Sequence, residues 1–322
     1  MSANLQIAVV GATSQLGVAL LEKLAELLPP SARVVAIDAD ELDGETVEYG
    51  HRELDVQAVS EFDFGKAGAA FFADNGDVFA AARQAARDAG VLVFEAGATA
   101  SLAGPVLDDG AIALPQDIAL PLARALAALG PARLGAVTIT ACLSASRFGK
   151  PAIEELAEQT TALFTQREAE TEHFPKRQAF NLLPLIGAAG EGGDSDVERA
   201  LAVALPALLG QPALPVFASV VHVPMFFGVA WAVSVEFDGE APPIAELNDA
   251  FLAAGLWLNA EPGKGETTVS PMDVVGTDLL AVDRIRVQRN RLMFWLTADA
   301  ARVTAKNWCE QFAKAMQTGY FA

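Results

Sequence analysis

The feature that most constrains the fold is a short apolar run near the N-terminus, which ends abruptly in glycine and leads into an Ala/Leu-rich segment. The run is Ile7 to Val10, the glycines are Gly11 and Gly17, and the segment continues to Leu28. This pattern predicts a strand, a tight turn and a helix. Gly11 permits a sharp exit from the strand, and Gly17 permits close packing of the helix on the sheet. The free N–H groups of the first helical turn would face an anion.

A second apolar run favours a nucleotide site at this turn. It covers residues 33–37 and ends in Asp38, about twenty residues after the second glycine, where an acid typically binds the adenosine ribose. The usual dinucleotide fingerprint has three glycines, and here Thr13 and Ser14 stand where small residues or glycine are expected. An ordinary strand-to-helix turn without a ligand is the alternative.

Composition excludes several classes of partner. The chain has 322 residues, enough for two domains, and a net charge of −19, which argues against nucleic acid and an anionic membrane surface as partners. Cys142 and Cys309 give no disulfide framework and no metal signature. Because there is neither a basic leader region nor an apolar run long enough to span a bilayer, we expect a cytoplasmic, reduced setting.

The pattern of secondary structure changes near Gly130. Before it, strands alternate with helices, which predicts an α/β fold with parallel pairing and right-handed crossovers. After it, consecutive strands with helices on one side indicate an α+β domain with a mostly antiparallel sheet. The sequence therefore predicts two domains.

Six groups of residues match a known family at compatible spacing. They are 9–13 with Leu16 and Gly17; Gly149 and Lys150 with 152–156, Gln159 and Thr160; 178–181 with Pro184; Val223 and Pro224 with Phe226 and Gly228; Pro271 with Asp273, Val274 and Gly276; and Ala298 with Asp299. Over essentially the whole chain, the sequence resembles the aspartate-semialdehyde dehydrogenase family. Residues 143–146 and 180–184 resemble a divergent branch of it, the Usg-type proteins.

The resemblance implies a domain organisation. Residues 1–130, completed by a C-terminal helix at 300–322, would form a Rossmann domain that binds NAD(P). Residues 131–299 would form a dimerisation domain that carries the substrate site. It also implies a homodimer, a small-molecule ligand that the sequence does not identify, and a setting in amino-acid biosynthesis.

Family members reduce an acyl phosphate with a nicotinamide cofactor, using a cysteine nucleophile, a histidine for proton transfer and an arginine for the substrate carboxylate. At the three positions that the resemblance assigns to these groups, this chain has Asp117, Val229 and His222 respectively. We therefore assign no catalytic residue and expect the semialdehyde dehydrogenase reaction to be absent.

Two other residues could replace the missing nucleophile. Asp117 could act as a carboxylate nucleophile or base, but its place before a predicted helix favours an N-cap. Cys142 lies in an alternating strand with Thr138 and Thr140, which favours a buried small residue.

The predicted cofactor contacts lie in three places. They are Gly11, Thr13, Ser14, Gln15 and Leu16 in the turn, Asp38 after the second strand, and Asn75 and Gly76 after a later strand. The resemblance also places a loop with Glu95 and Gly97 near the nicotinamide. Asp38 and Asp40 would repel the 2′-phosphate of NADP, so we expect NAD to be favoured if a cofactor binds. No metal site is predicted.

Three functions stay open from the sequence. The first is a dinucleotide-binding homodimer without the family reaction, and the second is an active NAD-dependent oxidoreductase with an unknown substrate. The third is a scaffold that has also lost the cofactor. The retained Gly11, Gly17 and Asp38 argue against the scaffold, and the three replaced positions argue against ordinary activity.

Overall fold

The computed structural model describes residues 6–97, 99–108, 110–130, 133–259 and 268–318. Contacts divide the chain into two compact units, Met1–Asp117 with Thr304–Ala322, and Ile118–Val303. Each unit has its own sheet, with eight described strands in the first and six in the second. None of the described helices is long and apolar enough to cross a membrane.

The first unit contains, before residue 118, β1 Gln6–Val10, α1 Gln15–Leu27, β2 Arg33–Asp38, β3 Thr46–Tyr49, β4 Arg52–Ala58, β5 Ala69–Phe72, α2 Ala80–Asp88, β6 Leu92–Ala96, β7 Val106–Asp108 and β8 Ala111–Leu114. The second unit contains α3 Leu120–Ala128, β9 Leu134–Leu143, α4 Gly149–Phe164, α5 Asp196–Leu208, β10 Val216–His222, β11 Val229–Phe237, α6 Ile244–Ala253, β12 Trp257–Leu258, α7 Pro271–Val274, β13 Leu280–Gln288 and β14 Arg291–Ala298. The last helix is α8, Ala300–Gln317, and the boundary between the units falls within it.

The sheet of the first unit has the order β3-β4-β2-β1-β5-β6-β8-β7. The five neighbouring pairs of the β4-β2-β1-β5-β6-β8 part of this sheet are parallel. The two edge pairs, β3–β4 and β7–β8, are antiparallel. Every residue of β1 and β5 is buried, because the central strands of a parallel sheet are covered on both faces. The strand order runs in opposite directions on the two sides of the β1–β5 pair.

Helix α8 packs into the core of the first unit. The ring of Phe312 meets Phe71 and Phe94 edge-on, with ring centres 5.3 and 5.4 Å apart. The indole N–H of Trp308 donates to the carbonyl of Pro115 at 2.9 Å. Burying one such aromatic side chain stabilises a fold by about 1.5–3 kcal/mol. The end of the chain therefore contributes to the stability of the N-terminal sheet.

The sheet of the second unit has the order β10-β9-β11-β14-β13-β12. Its three central pairs are antiparallel and its two edge pairs are parallel. Side chains on β9 alternate between buried, as in Ile139 and Ala141, and half-exposed or exposed, as in Thr138 and Thr140. One face of this sheet is thus covered and the other is open. The protein has a mixed α/β fold, with an N-terminal Rossmann-like unit and a second unit whose sheet is mostly antiparallel.

Candidate functional site

The turn between β1 and α1 is built on two glycines. Gly11 has a φ of +75°, a left-handed conformation that side chains disfavour. A Cβ on Gly17 would lie 2.8 Å from Cα of Ala12, so only glycine allows the helix to come this close to the turn. Ser14 is the N-cap of α1, and its Oγ accepts from the N–H of Gly17 at 3.0 Å. The chain therefore passes from β1 into α1 through a short, closely packed turn.

Two N–H groups at the start of α1 are available to a ligand. The N–H groups of Ala12 and Ser14 donate to backbone carbonyls of the same unit. Those of Gln15 and Leu16 have no acceptor among the residues that the structure describes. Unpaired N–H groups in the first turn of a helix, at the positive end of its dipole, form a site for an anion such as phosphate.

Asp38 connects the end of β2 to the same turn. Asp38 is 4% exposed, and its Oδ2 accepts from both N and Oγ1 of Thr13 at 2.8 Å. Its Oδ1 accepts from the N–H of Ala39 at 2.9 Å. A carboxylate has about four acceptor positions, so roughly one is left for a ligand. Asp38 is therefore both a structural part of the turn and a possible acceptor for a hydroxyl group.

The loop after β5 lies against the glycine turn. A Cβ on Gly11 would be 2.7 Å from Cβ of Asp74 and 3.0 Å from its N, so the two backbones are in contact. Asn75 is exposed, and the N–H of Gly76 donates to Oδ1 of Asp74 at 2.7 Å. The strand order reverses between β1 and β5, and open α/β sheets bind ligands in the crevice at such a point. The structure thus brings the predicted residues of the turn and of this loop to one crevice.

A cavity of about 340 Å³ lies beyond the carboxyl ends of β2 and β4. Phe62, Phe64 and Ala82 contribute to its apolar lining, and Asp40 and Glu41 are acidic residues at its wall. Ligand pockets are usually of about 300–1,000 Å³, mostly apolar with a few polar groups. No sequence pattern predicts this cavity, because its walls come from a strand end, a loop and α2, which are separate in sequence.

Asp117 is not an N-cap. Helix α3 begins at Leu120, its N-cap is Ala119, and a proline occupies its first turn. Proline is favoured there because its fixed φ suits a helix and its missing N–H needs no partner. The carbonyl of Asp117 accepts from Oγ1 of Thr304 at 3.5 Å. The N-cap prediction is therefore wrong, and Asp117 is the last residue of its segment of the first unit.

His222 and Val229, in the second unit, lie on either side of one residue. His222 ends β10 and is paired with Leu143 of β9, which is also paired with Val229 at the start of β11. Neighbouring strands are about 4.8 Å apart, so the two residues are separated by roughly two strand spacings. The structure therefore brings together the positions that the resemblance assigns to the arginine and the histidine.

The imidazole of His222 is buried and neutral. The residue is 6% exposed, and the ring centre of Phe148 is 5.2 Å from that of His222. Its Nδ1 has no partner in the described part of the chain. Burial and the charge of Arg147 lower the pKa of His222 to about 4, against an opposing effect of Glu198. At neutral pH this side chain carries no charge with which to bind a carboxylate.

Neither cysteine has the environment of a nucleophile. Cys142 lies within β9 and is half-buried, and burial raises the pKa of its thiol. Cys309, in α8, is 6% exposed, and burial raises its pKa to about 12. Nucleophilic cysteines have lowered pKa values and partial exposure. Both thiols are therefore protonated at neutral pH.

The prediction of a loop at Glu95 is wrong, since Glu95 lies in β6 and its carboxylate is paired with two arginines of α2.

Across the residues that the structure describes, no group of three or more His, Cys, Asp or Glu side chains could hold a metal ion.

Comparisons with known proteins point to one family. The profile described as "Semialdehyde dehydrogenase, NAD binding domain" matches residues 6–129, and "Semialdehyde dehydrogenase, dimerisation domain" matches residues 124–303. The chain is 31% identical to a "USG-1 protein homolog" of Pseudomonas aeruginosa, over 94% of each chain. It is 29% identical to an aspartate-semialdehyde dehydrogenase of Rickettsia bellii, also over 94% of each chain.

Solved structures agree with these matches. A probable aspartate-semialdehyde dehydrogenase from Pseudomonas aeruginosa has a TM-score of 0.87 and 29% identity, over 98% of this chain and 99% of that one. Aspartate semialdehyde dehydrogenase II from Vibrio cholerae, complexed with ASA, has a TM-score of 0.85 and 25% identity over the same shares. The similarity therefore covers both units.

Proposed function

This chain belongs to the semialdehyde dehydrogenase family, and from that premise we propose that it is a homodimer that binds NAD and lacks the semialdehyde dehydrogenase reaction. The cofactor, the missing chemistry and the assembly are each supported by separate observations in the first or the second unit.

The proposed cofactor site is the crevice between the glycine turn and the loop after β5. The N–H groups of Gln15 and Leu16, beside Thr13 and Ser14, would hold the pyrophosphate, and the remaining acceptor of Asp38 would take a ribose hydroxyl. Asn75 and Gly76 would line the opposite wall. When bound, the dinucleotide would supply a group that accepts or donates hydride.

Preference for NAD over NADP rests on charge. The described residues around the cavity include Asp40 and Glu41 and no cation. Asp40 is held in place because its Oδ1 accepts from the N–H of Ser60 at 3.1 Å. The 2′-phosphate of NADP would meet these carboxylates and that of Asp38, whereas the hydroxyl of NAD can donate to them.

The observation that carries the missing reaction is the placement of both thiols. Cys142 is half-buried within β9 and Cys309 is buried in α8, and burial raises the pKa of each. Reduction of an acyl phosphate through a thioester needs a thiolate, which displaces phosphate and leaves easily after hydride transfer. A carboxylate at Asp117 would form an anhydride that water hydrolyses. Val229 transfers no proton, whereas general acid–base catalysis typically raises a reaction rate about 10²–10⁴-fold. Neutral His222 lacks the positive charge and the bidentate hydrogen bonding with which an arginine binds a carboxylate.

An assay in the easier reverse direction tests this proposal. The purified protein is given semialdehyde, phosphate and NAD or NADP, and NAD binding is measured separately by calorimetry. We expect binding of NAD without turnover. A rate in the range of ordinary enzymes, about 1–10³ s⁻¹, would overturn the proposal, and its loss in Cys142→Ser would identify the nucleophile. Turnover of other aldehydes with NAD would support an active oxidoreductase instead.

The homodimer is supported by the open face of the second sheet. Phe217 of β10 is 61% exposed there, and Val221, Met293 and Trp295 are half-buried on the same face. Exposed apolar side chains grouped on one face of a sheet are typical of a protein interface. We also place the protein in the cytoplasm, where its two unpaired cysteines would stay reduced.

A further inference from the structure

Two arginines share one glutamate at the carboxyl end of the first sheet. Arg83 and Arg87 are one turn apart on α2, and Glu95 lies in β6. Nε of Arg83 is 3.5 Å from Oε2 of Glu95, and Nη2 of Arg87 is paired with Oε1 of the same carboxylate. The side chains of Arg83 and Glu95 are only 14% and 15% exposed. Because two cations share one anion, this arginine–glutamate cluster has a net charge of +1.

Arg83 also holds the loop that follows β5. Its Nη2 donates to the carbonyl of Asp74 at 2.8 Å, and its Nη1 donates to the carbonyl of Gly76 at 3.4 Å. Its guanidinium carbon is 5.4 Å from the ring centre of Phe72, within the range of a cation–π contact. A planar guanidinium with five donors can make all these contacts at once, whereas an ammonium group is a single point charge.

The loop that Arg83 holds is one wall of the crevice. Val10 and Phe72 are paired at the carboxyl ends of β1 and β5, so the two following loops leave the sheet side by side. The backbones of Gly11 and Asp74 are in contact, as described above. A shift of residues 74–76 would therefore change the width of the crevice next to the unpaired N–H groups of α1.

We propose that Arg83 is a positioning residue for the pyrophosphate of the dinucleotide, an inference that rests on the proposed function. Arg83 keeps residues 74–76 at the spacing that the pyrophosphate needs. The net positive charge of the cluster offsets the carboxylates of Asp38 and Asp74 near the crevice. Glu95 orients both arginines and does not itself contact the ligand.

The test compares ligands with and without a pyrophosphate. Arg83→Met and Arg83→Lys are titrated with ADP-ribose by calorimetry and with adenosine by ligand-observed NMR. The matched control is Arg52→Met, because Arg52 makes a similar contact with Tyr49, 5.0 Å from its ring centre, at the amino end of β4. Melting temperatures establish that each variant is folded.

We expect Arg83→Met to weaken ADP-ribose binding about tenfold, the size typical of lost hydrogen bonds to a charged group, and adenosine binding less than twofold. Arg83→Lys should lose less affinity for ADP-ribose, since the charge remains. If Arg83→Met does not fold, the test is made with Arg83→Lys alone. Unchanged ADP-ribose binding, or equal losses for both ligands, would overturn the inference and leave the proposed function standing. Failure of the starting protein to bind NAD or ADP-ribose would overturn both.

Discussion

Asp38 accepts two hydrogen bonds from Thr13 through one carboxylate oxygen, each 2.8 Å long. These bonds join the end of β2 to the turn between β1 and α1. Hydrogen bonds to a buried charged group contribute about 1.5–3 kcal/mol each. The acid that the sequence marks as a ligand contact is therefore also a part of the turn that would hold the ligand.

Replacing Asp38 with serine should narrow or reverse the preference for NAD over NADP. The variant removes the carboxylate that would repel a 2′-phosphate and accept from a ribose hydroxyl, and we expect about a tenfold loss of NAD affinity. Calorimetry with both cofactors measures the effect. Asp43→Ser is the matched control, because Asp43 is exposed and also accepts from a backbone N–H, that of Ala58. Equal affinities for both cofactors in the starting protein would contradict the charge argument.

Gly17→Ala should destabilise the first unit by about 3 kcal/mol. Its Cβ would lie 2.8 Å from Cα of Ala12, and backbone atoms of a packed turn cannot move aside cheaply. Gly104→Ala is the control, since its Cβ would meet nothing within 4 Å, and we expect a change within about 0.5 kcal/mol. Urea unfolding measures both. A loss of similar size in the two variants would mean that the close approach at Gly17 has no special role.

Acid should destabilise the protein through His222. The pKa of His222 is about 4 in the folded state, against an ordinary value of 6.5 for a histidine side chain. The unfolded chain thus binds more protons between these values. The contribution of neutral His222 to the free energy of unfolding is complete above pH 6.5 and is lost as the pH falls towards 4. At pH 5 we expect the free energy of unfolding to be lower by about 1–2 kcal/mol, a range that allows for screening by solvent.

Urea unfolding at pH 7.5 and pH 5 tests this dependence. His222→Gln should remove most of this loss, whereas the exposed control His173→Gln should retain it. An unchanged acid sensitivity in His222→Gln would assign the effect to other groups.

Phe217→Asp should convert the proposed dimer into a monomer. The substitution places a charge on the open face of the second sheet, where Phe217 is 61% exposed and would be covered by a second copy. Leu252→Asp, on the exposed side of α6, is the control and should remain a dimer. Light scattering at micromolar concentration distinguishes the two states, and a monomeric starting protein would refute the proposed assembly.

Some features could be predicted because their causes are local in the chain. The turn at Gly11 and Gly17 was recognisable because an apolar run, a glycine and a helical pattern follow one another within a few residues. The mostly antiparallel second sheet was predicted from consecutive strands, and the structure confirms it. The prediction of an N-cap at Asp117 was wrong although capping depends on neighbours in the chain. The proline in the first turn of α3 favours a helix that starts at Leu120.

The sequence by itself determined the glycine turn after β1, and the change from alternating strands and helices to consecutive strands. Only the tertiary structure decided which side chains meet. The cavity beside Asp40, the flanking of Leu143 by His222 and Val229, and the support of the Asp74 loop by Arg83 all depend on strand order and register. The physical reason is that backbone conformation is decided by neighbours in the chain, whereas these contacts arise when segments distant in sequence pack to bury a common core.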